Sequence, residues 1–155
     1  MEKTESIIDS GPGKARFEKE KRWLWTYQNI ARERRQIETM LAEVEAAMQG
    51  PKVQRLDGMP RGGTPDGGSA TEMLVAKHIE LQRRYQEKLE AMAATQLEIE
   101  QAIEALDPTA RLLLRCRYLE GLKWEEVCVR LNYSWRQTHR LHSEALRKLR
   151  ETRAS

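Results

Sequence analysis

Five residues crowd positions 135 to 140: Trp135, Arg136, Gln137, His139 and Arg140. Little that is apolar separates them, and no acid follows until Glu144. An arginine fork can donate two parallel hydrogen bonds to a guanine edge, and a glutamine amide matches adenine. A histidine can donate to a base or a phosphate. An indole can lie against a sugar or a thymine methyl. Ser143 comes next along the same face. These six are the candidate base-contacting residues, and the lack of carboxylates among them keeps phosphates welcome. Ser134, just before them, is a good N-cap whose helix N-terminus can meet a phosphate through backbone N–H groups. Arg117, Lys123 and Arg147 complete the candidate phosphate contacts.

Such a face needs a helix held from behind. The spacing predicts one from Trp135 to about Arg150, with Thr138, Leu141, Ala145, Leu146 and Leu149 inward. Asn132 and Tyr133 form a short connection, and Asn tolerates the left-handed backbone that a tight turn requires. Before it, "KWEEVCVRL" predicts a helix over 123–131, with Trp124, Val127, Cys128 and Leu131 on one side. Its two early acids suit the helix dipole. An earlier helix starts after Asp107, a natural N-cap, with Pro108 in its first turn. It is expected to run to Glu120 on an apolar face of Leu112, Leu113, Cys116 and Leu119, and to end at Gly121. Two helices joined by a short turn, with a small residue at Cys128 where they cross, make a helix-turn-helix pattern. In that motif the start of the second helix enters the DNA major groove. Thr138 takes a slot suited to valine, so its hydroxyl needs a backbone carbonyl. His142 reads as a helix-packing or groove-edge residue.

The rest of the chain reads as two long helices. Residues 1–13 read as a disordered leader ending in "GPG", and 14–106 as the two helices with a flexible Gly/Pro-rich loop at 50–69. The first helix has a seam of Tyr27, Ile30, Ile37, Leu41, Val44 and Met48, stopped by the glycine and proline at 50–51. The second, about 70–106, has Leu74, His78, Leu81, Tyr85, Met92, Ile99, Ile103 and Leu106. His78 reads as a packed seam residue, not a ligand. Trp23, Trp25 and Tyr27 open the first helix and read as packing residues. Neither helix can bury its stripe alone, so the expectation is an intramolecular hairpin or coiled coil that also forms a homodimer. The fold class is all-α, with a C-terminal helix-turn-helix unit at 107–155.

Charge sharpens that division. Residues 107–155 carry 11 Lys and Arg against 6 Asp and Glu, whereas 1–106 carry 16 against 18. A basic unit on a mildly acidic body suggests a polyanionic partner for that unit alone. No run of 18 apolar residues and no signal peptide occur, so no membrane association and a cytoplasmic location are expected. Cys116 and Cys128 read as reduced thiols. No Ser-His-Asp set, phosphate loop or paired acids stand out, so no catalytic residue is assigned and the chain is not read as an enzyme. Cys116, Cys128, His139 and His142 match no usual zinc spacing, so no metal and no cofactor are expected.

Residues 106–150 resemble region 4 of the sigma-70 type sigma factors through "RCRYLEG", "WEEVCVRLNYS" and "EALRKLR". The resemblance implies base contacts from Trp135, Arg136, His139 and Arg140, and a phosphate contact from Arg117. It also implies RNA polymerase as a partner. Trp135 stands where sigma factors usually have Arg, and Arg136 where they often have Glu, so the target differs from the usual minus-35 element. Nothing matches the region that melts promoters, so this is not a whole sigma factor. "DGMPRGGTPDGGS", "LLRCRYLEGLKWEEV" and "YSWRQTHRLHSEAL", in that order, resemble small phage and prophage transcription regulators of the RinA and ArpU kind.

The reading is therefore a regulator that binds double-stranded DNA in sequence-specific fashion. The resemblance makes it a phage or prophage late-gene activator working with RNA polymerase in a bacterial host. A small terminase subunit for DNA packaging is one alternative, although those usually place the DNA-binding unit first. An adaptor that docks on polymerase without reading DNA is another, and Arg136, His139 and Arg140 argue against it.

Overall fold

The computed structural model describes residues 15–50 and 66–155, and every regular element among them is helical. A short 3-10 turn, Ala15–Phe17, leads into α1 (Glu18–Met48). Then come α2 (Asp66–Ile103), α3 (Pro108–Leu114), α4 (Trp124–Leu131) and α5 (Trp135–Ala154). The all-α class and the C-terminal helix-turn-helix follow the sequence reading. The leader at 1–13 and most of the 50–69 segment lie outside the described residues. Asp66–Ser69 is already helical, although the sequence suggested loop. Two glycines cost least in a first turn, whose N–H groups have no intrahelical partner.

Two compact units divide the described residues. The second unit, 30–92, contains the facing parts of α1 and α2. Ile37, Val44 and Leu81 are buried there, with Leu41, Leu74 and Tyr85 packed around them. The Tyr85 hydroxyl donates to Glu38 at 3.0 Å, His78 Nε2 meets Glu45 at 3.2 Å, and Lys88 pairs with Glu33. Partners rise in number on α1 as they fall on α2, which makes the pairing antiparallel. His78 is thus a seam-edge residue bonded to a carboxylate. Met48, the expected end of the seam, is exposed.

The first unit joins 15–29 and 93–155, so it is wider than the basic segment 107–155. Leu24 and Phe17 near the start of α1 and Ile99 and Ile103 of α2 share one core with Leu113, Leu114, Tyr118, Val127, Leu146 and Leu149. Local chemistry sets the helix ends. Asp107 accepts from the Ala110 N–H at 3.2 Å, with Pro108 in the first turn. The Lys123 N–H donates to Glu126 at 2.8 Å at the start of α4. Asn132 closes α4 in the left-handed region at φ 57°.

The segment after α3 departs from expectation. Arg115–Leu119 forms a π-turn, in which the Glu120 N–H donates to the Arg115 carbonyl at 2.9 Å. An extra residue in a turn rotates all that follows. Tyr118, within the turn, therefore occupies the core; before the turn, Leu114 is buried and Leu112, expected inside, is exposed. Gln28 of α1 donates from Nε2 to the carbonyls of Tyr118 and Leu119, at 3.1 and 2.7 Å. Gly121 then turns the chain at φ 72°, where a Cβ would stand 3.0 Å from Gln28 Oε1.

Candidate nucleic-acid interface

α5 begins with a reciprocal cap. Ser134 Oγ accepts from the Gln137 N–H at 3.2 Å, and Gln137 Oε1 accepts from the Ser134 N–H at 3.1 Å. Two otherwise orphaned donors are satisfied, which fixes where the helix starts. The side-chain oxygens of Ser134 and Gln137 thus already serve the cap, while both residues stay exposed.

Behind the helix, Thr138, His142, Ala145, Leu146 and Leu149 are buried. The opposite side carries Arg136, Arg140, Ser143 and Arg147, at steps of three and four, all exposed. Arg147 pairs with Glu151 at 3.0 Å. Arg136 and Arg140 make no ion pair among the described residues. Lys123, at the start of α4, is exposed too.

The aromatic residues form a chain that sequence reasoning did not anticipate. Trp25 of α1 meets Tyr118 edge-on at 5.2 Å, and Tyr118 is stacked near His142 at 5.8 Å. Trp124 lies 4.6 Å from His142 and 4.5 Å from His139, and His139 lies 4.5 Å from Trp135. Six rings thereby connect α1 to the exposed Trp135. Only its last members were legible in the sequence, because the others lie far apart along the chain.

This chain changes the setting of three residues. His139 is half-buried between Trp124 and Trp135, so it offers an edge, not a free ring. Arg117 sits between Trp25 and Trp124, 5.0 and 4.7 Å from their ring centroids, and donates to the Leu122 carbonyl at 2.9 Å. His142 is a packing residue of the core, so it is no groove-edge group. Burial, helped by electrostatic effects of Lys21, His139 and Arg117, holds its pKa down at about 3. Its Nε2 meets the Tyr118 hydroxyl at 2.8 Å. Thr138 also differs from expectation: its buried hydroxyl finds no hydrogen-bond partner among the described residues. Cys116 and Cys128 are free thiols, and burial raises the pKa of Cys116.

Residues 102–151 match the protein-family model for sigma-70, region 4. This part of the chain is a sigma-70 region 4-like helix-turn-helix domain, a DNA-binding and transcription-related module. The match runs from the last residues of α2 into α5 and leaves α1 outside. No curated protein and no solved structure matches the chain. Among the described residues, no helix is long and apolar enough to cross a membrane.

Proposed function

We propose that the protein is a sequence-specific regulator of transcription whose α5 enters the major groove of duplex DNA. The observation that carries this reading is the outer face of α5. Arg136 and Arg140 stand there exposed and without ion pairs among the described residues, on a helix whose start is fixed by the Ser134–Gln137 cap. Arg136 and Arg140 read bases, joined by Ser143 further along. Trp135, braced by His139, lies against a sugar or a thymine methyl. Gln137 reaches a base only from its capping position. Lys123, Ser134 and Arg147 meet phosphates at the edges, and Arg117 does so from between its two indoles.

The finer assignment rests on resemblance. The order of motifs along the chain supports a phage or prophage late-gene activator, acting with RNA polymerase in the cytoplasm of a bacterial host. The long helices serve as the homodimer contact. The small buried set among the described residues of 30–92, Ala31, Ile37, Val44 and Leu81, supports that role, because so thin a hairpin gains from a second layer.

Selection of bound duplexes from a random DNA pool tests the reading. One enriched sequence is expected, and two half-sites at a fixed spacing report the dimer. A pool that stays random after repeated rounds contradicts sequence-specific binding. A ring of eight or more subunits would point to DNA packaging instead.

A further inference from the structure

The start of α1 lies outside the matched segment, yet it belongs to the same compact unit as α3, α4 and α5. Two anchors fix which side of it meets α5. Glu20 accepts from Arg150 Nε at 2.9 Å, and the same arginine bonds the Arg16 carbonyl. Further along, Trp25 packs on Tyr118, which is bonded to His142 of α5. Lys21 falls between these anchors. It is one residue after Glu20, which meets Arg150 of α5, and one turn before Trp25, which meets Tyr118, so it stands between the levels of His142 and Arg150. At that level the exposed flank of α5 carries Ser143 and Arg147.

On its inner side Lys21 stands among cations, while the exposed Glu18 lies one turn before it on α1. The Lys21 charge is the second cause, after burial, of the low pKa of His142, and Arg117 acts on the same imidazole. The neighbouring carboxylate, Glu20, is taken by Arg150. Lys21 is half-buried and has no ion pair among the described residues. A lysine held with its stem against a protein, beside other cations and without a counter-ion, is poised for an external anion. An ammonium binds phosphate as a point charge and carries no base preference.

We propose that Lys21 is a DNA phosphate contact, so that the start of α1 extends the backbone-binding surface beside α5. This rests on the reading of α5 as the groove-entering helix. It brings one of the long helices directly onto the DNA, outside the sigma-like segment.

The test uses the full chain, with the selected duplex and an unrelated duplex, titrated between about 50 and 200 mM salt. Lys21→Ala should make the slope of log affinity against log salt shallower by about 0.9 on both duplexes. The preference between the duplexes should not change, and Lys21→Arg should restore the slope. A folded Lys21→Ala protein with the wild-type slope overturns the proposal. A lost preference between duplexes also overturns it, because Lys21 would then be positioning α5. Should alanine impair folding, Lys21→Gln keeps much of the stem and is read in the same way. If the wild-type protein binds the selected and unrelated duplexes alike, sequence reading by α5 fails, whereas the slope comparison still decides the phosphate contact. If it binds neither, both fail.

Discussion

The Tyr118 hydroxyl lies 2.8 Å from His142 Nε2 inside the core of the DNA-binding unit. A π-turn delivers the tyrosine, and α5 delivers the histidine. The bond therefore ties α5 to the segment that follows α3, with Trp124 packed on the imidazole.

That buried imidazole makes stability depend on acid. The His142 pKa is lowered from 6.5 to about 3 by burial, and next by the Lys21 charge. Below about pH 6.5 the unfolded chain holds a proton that the folded chain lacks, so folding weakens as pH falls. The contribution is fully present above that pH and declines by about 1.4 kcal/mol per unit down to pH 3. Carboxylates titrate in the same range, so the readout is a difference. Urea unfolding of wild type and His142→Gln at pH 7 and pH 4.5 should show a smaller acid loss in the variant. Equal losses would mean that His142 takes up its proton while folded.

Thr138 buries a hydroxyl that has no partner among the described residues. Thr138→Val replaces it with a methyl of similar shape and removes a buried, unpaired polar group. A gain of about 1 kcal/mol is expected in denaturant unfolding, with DNA affinity unchanged. A loss of stability would show that the hydroxyl is solvated or bonded in solution.

Gly121 and Gln28 should behave as a coupled pair. Gly121→Ala meets a left-handed backbone and crowds the Gln28 side chain. It should cost about 1–2 kcal/mol. Gln28→Ala alone removes the Nε2 hydrogen bonds to two carbonyls. In the Gln28→Ala background the glycine substitution should cost less, because only the backbone strain remains. A double-mutant cycle by urea unfolding measures this, and strict additivity would contradict it.

Much of the local structure was legible because it depends on neighbours in sequence. Asp107, Asn132, Ser134 and Gly121 end or start helices through bonds and dihedrals within a few residues. The inner face of α5 was legible from its helical period. Tyr118 was not, because a π-turn breaks the 3.6-residue period on which that reading depends. The settings of Arg117, His139 and His142 depend on Trp25 and Trp124, and Trp25 lies more than ninety residues from Arg117. No local pattern reports such a contact. The exposed face of Arg136, Arg140, Ser143 and Arg147 needed only the helix and its cap, so it could be read directly.

The central claim is that this face reads bases. Its most direct test is the affinity of wild type and the Arg136→Ala/Arg140→Ala variant for the selected duplex and a scrambled one, at two salt concentrations. The account predicts that the variant loses discrimination by roughly 1–3 kcal/mol per missing base contact, while residual binding stays salt-dependent. Equal, weak and steeply salt-dependent binding of both proteins to both duplexes would contradict it.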